Sequence, residues 1–291
     1  MSDPPAKPTI LIQLDTDAQP SVFDGVVAVD SGVDFLFRHG GVTPGGVRDL
    51  VHGALFTRGP ADLKRTAVFV GGSDVAAAEA VLAAVAASFF DGFRVSVLLD
   101  ANGANTTAAA AVLACLEGSG GSVVGAKAAV IGGTGPVGQR VARLLAGLGA
   151  AVAVGSRSRD RAKATASTIA AGRPVAAFST SSESDLADGL AGASIVVSAG
   201  AAGVRLLPEE VRRGLSGLKV AVDLNAVPPP GIDGVRPTDR GTGREGVLCW
   251  GALGVGSAKM KIHKAAIRSL FEANDRVLDA EQVFELGRSL G

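Results

Sequence analysis

Short apolar runs alternate with longer amphipathic or alanine-rich stretches along the whole chain. In the first hundred residues the apolar runs are 9–14, 33–37, 66–70 and 93–98. They are dominated by Val, Ile, Leu and Phe, as strands buried on both faces are. Helical stretches separate them. One opens at Pro20-Ser21 and runs to about residue 29. A second starts at Thr43-Pro44, an N-cap with proline at the first helical position, and reaches about residue 55. A third, alanine-rich, is capped by Ser73 or Asp74 and ends near Phe89. Such a series predicts a parallel sheet with helices on both faces, and ligands bind outside the C-terminal ends of such strands. Asp15, Gly71-Gly72 and Asp100 stand at those ends.

The pattern then repeats. A long helix over 102–120 begins with Asn-Gly-Ala-Asn-Thr-Thr, more polar groups than a cap requires, and these read as ligand-facing. Strands are predicted at 128–131, 151–154, 174–178, 194–197 and 219–223, and a helix over 183–190. Residues 231–246 read as an irregular loop. Trp250 to Gly256 feeds a helix over 257–273, and a last helix over 279–290 is expected to pack back on the first domain. The expected fold is α/β, with two parallel-sheet αβα domains. The first covers residues 1–100 plus the returning segment 274–291. The second covers a linker helix and a Rossmann-type domain over 101–273.

The second domain carries the most specific motif. The run 128–131 meets Gly133-Thr134-Gly135-Pro136-Val137-Gly138, a G-x-G-x-x-G turn, and a helix follows with Val141, Leu144, Leu145 and Leu148 on one face. Strand, glycine turn, helix and second strand form the dinucleotide-binding unit. Gly133 is assigned to the tight turn, Gly135 to the approach of a pyrophosphate, and Gly138 to close helix–strand packing. The second strand ends in Gly155-Ser156-Arg157-Ser158-Arg159, with no acid before Asp160. An NAD site usually has a carboxylate there for the ribose hydroxyls. Arg157 suits a 2′-phosphate and the two serines can donate to it, so NADP is expected. Ser198 to Gly203 and Asn225 to Gly231 follow later strands, and Ala199, Gly200 and Asn225 are assigned to the nicotinamide side.

Composition narrows the function classes. The 291 residues are 47% hydrophobic and 19% charged, which suits a soluble, core-forming protein of two modest domains. The formal net charge is zero, aromatic residues are few and tyrosine is absent, which argues against nucleic acid and anionic membrane as partners. No apolar run reaches about 18 residues, so no membrane span is expected, and the polar, proline-rich start does not read as a signal peptide. Cys115 and Cys249 lie far apart without metal spacing, and both are expected to be reduced and buried, as in a cytoplasm. His39, His52 and His263 show no metal spacing and read as surface or helix-packing residues.

Several segments resemble the NADP-dependent methylenetetrahydromethanopterin dehydrogenases of methylotroph-type one-carbon metabolism, a family with methylenetetrahydrofolate-active members. They are QLDTDAQPSVFD (13–24), FVGGSD (69–74), LDANGANTTAAA (99–110), GGTGPVG (132–138), SAGAAG (198–203), DLNAVPPPGI (223–232) and GALGVGSAKMKIHKA (251–265). The resemblance implies hydride transfer from a methylene-bridged tetrahydropterin to NADP+, a pterin cleft between the two domains, no metal, and a homo-oligomer such as a trimer or hexamer. It places an active-site lysine at Lys259, with Lys261 as second choice. Asp15 and Asp100 join Lys259 as candidate catalytic residues, because carboxylates near the reacting carbon favour its developing positive charge. Asp17, Ser21, Gly71, Gly72, Asn102, Asn105 and Thr106 are the substrate-binding candidates. Tetrahydromethanopterin is favoured as the pterin, with tetrahydrofolate as a possible second substrate. A different NADP oxidoreductase of similar architecture, an NADP-sensing module and an added cyclohydrolase step remain as alternatives.

Overall fold

A computed structural model describes residues 6–90, 92–169 and 174–291. It divides into two compact units. The first runs to Thr106 and resumes over Met260–Leu290; the second spans Thr107–Lys259.

The first unit opens with strands β1 (Ile10–Asp15), β2 (Phe35–His39), β3 (Thr66–Gly71) and β4 (Ser96–Leu99). Helices α1 (Val22–Asp30), α2 (Val47–Phe56) and α3 (Val75–Ala87) connect them. Ser21 caps α1 by accepting from the Asp24 amide at 3.3 Å, and Asp74 caps α3 by accepting from the Ala77 amide at 3.0 Å. Every residue of β3 and β4 is buried, as the unbroken apolar runs predict. The strand expected over 93–98 starts later, at Ser96, because Phe90 and Phe93 pair with each other in an antiparallel bridge. After β4, helix α4 (Ala104–Gly118) leads into the second unit.

There the order is β5 (Lys127–Ile131), α5 (Pro136–Gly147), β6 (Ala151–Ser156), α6 (Arg159–Ile169), β7 (Ala176–Ser179), α7 (Glu183–Leu190), β8 (Ile195–Ser198), α8 (Glu209–Arg213), β9 (Val220–Asp223), β10 (Arg240–Arg244) and β11 (Val247–Trp250). The strands line up as β10-β11-β9-β8-β5-β6-β7, and all are parallel except β10. Numbered from β5 as the first, the parallel strands run 3-2-1-4-5-6, the doubly wound dinucleotide-binding order.

The hairpin β10–β11 occupies ground expected to be irregular. Its turn has φ of 47° at Glu245 and 82° at Gly246, the two left-handed residues of a tight hairpin turn. Glu-Gly stands where Asn-Gly is the usual signal, and Arg-Gly-Thr-Gly-Arg shows no apolar alternation, so the pattern hides the strand. Ion pairs supply what burial does not. Arg244 donates twice to Asp239, both at 2.6 Å, and Arg212 of α8 donates to Glu245 at 2.6 Å. Burial works to raise the Asp239 pKa, but the Arg244 bonds and the Arg236 amide hold the carboxyl below its usual value.

Helix α9 (Ala252–Ser269) follows. It begins five residues before the expected start at 257. Gly251 and Gly254 read as loop residues, yet a Cβ on either would lie 2.0 Å from the carbonyl oxygen of Arg236 or Asp239. They are small so that the helix start can press on that backbone. The chain re-enters the first unit within α9, at Met260, and continues as β12 (Val277–Leu278) and α10 (Ala280–Ser289), the latter opened by a capping box of Asp279 and Gln282. β12 pairs in parallel with β4, so the first sheet reads β12-β4-β3-β1-β2. This is the second doubly wound order, all strands are parallel, and the strand order reverses between β1 and β3.

Both cysteines are buried and free. Burial pushes the Cys115 thiol up to about 12 and, with Asp239 nearby, the Cys249 thiol up to about 11. The thiolate is the reactive form. In mildly alkaline buffer neither thiol of the folded protein is therefore expected to react with an aromatic disulfide reagent, and both should react once the chain is denatured. A fast-reacting thiol in the native protein would contradict the burial. Among the described residues no helix is long and apolar enough to cross a membrane, and no cluster of three or more His, Cys, Asp or Glu could hold a metal ion.

Candidate active site

In the first unit the candidate residues stand at the C-terminal ends of β1, β3 and β4, the rim of the strand-order reversal. Asp15 ends β1 and is fully buried. Its carboxylate accepts from the Asp17 amide at 3.0 Å, the Ser21 amide at 3.0 Å and Gln13 Nε2 at 3.2 Å. Asp17 in turn accepts from the Ser73 amide at 2.9 Å and the Ser73 hydroxyl at 2.8 Å, tying the loop after β1 to the loop after β3. Gly71 and Gly72 are buried beside that joint. Gly72 has φ of 124°, and a Cβ there would sit 1.9 Å from the Thr16 hydroxyl.

Asp100, after β4, is also fully buried. It accepts from the amides of Asn105 and Thr106, each at 3.0 Å, and from the Thr106 hydroxyl at 2.6 Å, so it caps α4 from within. Asn105 and Thr106 are buried too. Asn105 Nδ2 donates to the Leu99 carbonyl at 2.6 Å and to Asp279 at 3.0 Å.

Four of the candidates are thus enclosed. Asp15 and Asp100 are buried, and their oxygens are engaged by backbone amides, the Gln13 carboxamide and the Thr106 hydroxyl. Both carboxylates hold the rim loops in place. Asn105 and Thr106 are buried at the start of α4. Asn102 is different. It is exposed, with φ of 52°, while its amide donates to the Gly72 carbonyl at 2.8 Å. Asparagine is one of the few non-glycine residues that adopt the left-handed region readily.

Two features of this unit escaped the sequence reading, the role of Arg38 and the carboxylate beside His263. Arg38 donates to the Pro20 carbonyl at 2.6 Å, the Ser21 carbonyl at 2.7 Å and Gln13 Oε1 at 3.0 Å, bracing the loop that carries Asp15 to Ser21. His263 of α9 is fully buried, stacked on Phe69 at 5.8 Å, with Nδ1 3.9 Å from Asp100. The helix-packing reading describes its environment, but the carboxylate beside it had no signal in the spacing. His52 packs against Phe56 and Phe90, at 5.3 and 5.2 Å. Lys259 is half-buried and Lys261 exposed. Lys259 stands one turn before His263, so the two share a helix face.

In the second unit the glycine turn joins β5 to α5. The left-handed residue is Gly132, with φ of 73°, not Gly133. Gly133 is needed instead for contact, since a Cβ there would lie 2.8 Å from the Val130 carbonyl. At Gly138 a Cβ would lie 2.6 Å from Gly133 Cα, the close packing expected. Around Gly135 the nearest atoms to a Cβ are the carbonyl oxygens of Gly132 and Ala199, at 3.5 and 3.8 Å, so its outer side is open. Helix α5 starts at Pro136 with no side-chain cap. The amides of Val137 and Gly138 then lack the partner that a capping residue supplies, at the positive end of a helix dipole. An open glycine before an uncapped helix fits a pyrophosphate. Thr134 is held by its carbonyl, which accepts from Gln139 Nε2 at 2.8 Å.

Ser156 ends β6 almost fully buried, and its hydroxyl accepts from the Ser158 amide at 3.4 Å. Ser158 caps α6, accepting from the Arg161 amide at 3.3 Å. Arg157 between them is exposed and makes no ion pair among the described residues. On the other side of the turn, Ala199 and Gly200 follow β8, and a Cβ on Gly132 would lie 2.5 Å from Gly200 Cα. Asn225 is buried, with its carboxamide directed at backbone rather than outward.

The N-terminal model of the methylene-tetrahydromethanopterin dehydrogenases matches residues 22–102. The chain is 46% identical over 283 residues to "Bifunctional protein MdtA" of Methylorubrum extorquens, a match covering 97% of this chain and 98% of that one. The chain belongs to the methylene-tetrahydromethanopterin dehydrogenase family. A second member from the same organism, the NAD(P)-dependent methylenetetrahydromethanopterin dehydrogenase, is 30% identical, covering 91% of this chain and 93% of its own. The family membership makes the protein an oxidoreductase of the nicotinamide-dependent kind. Among solved structures, quinate dehydrogenase from Corynebacterium glutamicum aligns over 97% of this chain and 99% of its own with a TM-score of 0.50 and 17% identity, a likeness of fold.

Proposed function

We propose that the protein oxidises the methylene bridge of N5,N10-methylene-tetrahydromethanopterin by hydride transfer to NADP+, with methylene-tetrahydrofolate as a possible second substrate. The observation that carries this reading is the open, uncapped glycine turn followed by Arg157 in place of an acid, in a chain of this family. When bound, NADP+ supplies the hydride acceptor. One C–H bond of the bridge breaks, both electrons leave with the hydrogen, and the carbon becomes a methenyl cation shared by two nitrogens. No proton has to move.

The work left to the protein is positioning. Gly135 and the first amides of α5 would take the pyrophosphate, and Arg157 and Ser156 the 2′-phosphate. Asn102 and the loops braced by Asp15, Asp17 and Asp100 would bear on the pterin. Lys259 would orient the pterin through a ring carbonyl, away from the forming cation, where a permanent positive charge would oppose the reaction. A homo-oligomer in the cytoplasm completes the proposal.

The test is the appearance of reduced nicotinamide absorbance when purified protein meets each methylene pterin with NADP+ or NAD+. A rise with NADP+ and the methanopterin substrate is expected. Cofactor binding without turnover on either pterin would favour a different oxidoreductase or a sensing module. Lys259→Ala should lower kcat about a hundredfold, the scale of a misplaced reactant, while NADP affinity holds. Lys261→Ala should stay near wild type. The reverse ranking would move the role to Lys261.

A further inference from the structure

Among the buried acids that the mechanism leaves unused is Asp223. It closes β9 and is 2% exposed. Its Oδ1 accepts from the Asn225 amide at 3.1 Å, and its Oδ2 from the amides of Gly231 and Ile232 at 2.8 and 3.1 Å. Burial raises its pKa, and those three amides and the Ser198 hydroxyl work against the rise. A Cβ on Gly231 would come within 2.5 Å of Oδ1 and 2.3 Å of the Ser198 hydroxyl, so the loop lies directly on the acid.

Asn225 extends the knot. Its Oδ1 accepts from the amides of Gly203 and Val227, at 3.1 and 3.0 Å, and its Nδ2 donates to the Pro229 carbonyl at 2.7 Å. A carboxamide has two acceptor sites and two donor hydrogens. Both acceptor sites and one hydrogen are therefore engaged by backbone. The loop after β8 is pinned at both ends. Its start takes a hydrogen bond from Ala199 to the Ile131 carbonyl at 2.9 Å, and its far end, Gly203, is held by Asn225.

In this fold a dinucleotide lies across the strand ends, one half on each side of the order reversal. Arg157 and Ser156 stand on the adenosine side, past β5. The loops after β8 and β9 stand on the other. We infer that Asp223 and Asn225 are positioning residues for the nicotinamide half of the cofactor: they set the backbone of 199–203 and 225–231 without themselves being spare ligands. The inference rests on the NADP reading above.

The test separates the two halves. NADPH touches both sides, whereas 2′,5′-ADP carries only the adenosine side. Binding of each to the full chain is measured by calorimetry for wild type, Asn225→Ala and Asn225→Asp, the last restoring an acceptor but losing the donor to Pro229. Asn225→Ala should weaken NADPH about tenfold or more, leave 2′,5′-ADP within about twofold, and lower kcat with little change in the pterin KM. Asn225→Asp should fall between, and it carries the same criterion should the alanine variant not fold. Parallel loss of both ligands would mean general damage and overturn the inference, as would no loss of either. A wild-type protein that binds neither ligand would overturn the cofactor reading itself.

Discussion

Arg157→Glu is expected to raise the KM for NADP+ about tenfold or more and to erase the preference over NAD+. The argument is local. Arg157 follows the last residue of β6, where a dinucleotide's adenosine ribose meets a Rossmann sheet. It is exposed and forms no ion pair among the described residues, so its guanidinium is available to a doubly charged 2′-phosphate. Ser156 and Ser158 carry no charge and cannot replace that of the guanidinium. Glutamate would both remove the clamp and repel the phosphate, while offering the ribose hydroxyls of NAD+ the acceptor they use elsewhere. Steady-state kinetics with both cofactors checks it. An unchanged NADP+/NAD+ ratio would sink the assignment of Arg157. Because the residue is exposed, thermal stability should barely move, which separates this variant from the next.

Gly132→Val should cost more. A β-branched residue at φ of 73° carries a backbone penalty of roughly 1–2 kcal/mol, and the added Cβ would lie 2.5 Å from Gly200 Cα. The collision joins the β5 turn to the loop after β8, so relieving it must move both walls of the cofactor site. NADP affinity should fall about a hundredfold or more, together with a lower melting temperature. Calorimetric titration and thermal unfolding measure the two effects. Gly135→Ala is the contrasting case. Its Cβ has room inside the protein, so stability should hold while affinity drops, because the methyl group would occupy the pyrophosphate's own space. Wild-type affinity in Gly132→Val would mean that the turn is not the binding wall.

What could be read in advance divides along physical lines. Strands buried on both faces announce themselves through composition, and most of the βα series was legible within two or three residues. The glycine turn was legible as a motif but not in its internal division of labour. Which glycine turns the chain left-handed depends on the loop arriving from β8, far away in sequence. The outer strand of the hairpin, β10, was illegible because its sequence is polar and its side chains form ion pairs rather than an apolar face. In the candidate site, residue types at strand ends were readable, and the direction each side chain takes was not. Asp15 and Asp100 look like catalytic acids in a one-dimensional string. Only the packed structure reveals the amides that use them. The same blindness hid Arg38, whose partners lie up to 25 residues away.

The two-residue strand β12 bears on the order in which the chain can become a protein. Ser96 donates its hydroxyl to the Ala273 carbonyl at 2.8 Å, Val97 its amide to the Arg276 carbonyl at 2.8 Å, and Asn274 its carboxamide to the Arg94 carbonyl at 3.0 Å. These bonds close a span of 177 residues between Ser96 and Ala273. The second unit, by contrast, is contiguous over Thr107–Lys259. During synthesis, with domains folding as units, the nucleotide half has all of its strands while the half that bears Asp15 and Asp100 still lacks its edge. Contacts so distant in sequence are also slow to form. The rim that would meet the pterin is thus completed last, after the cofactor half can already stand.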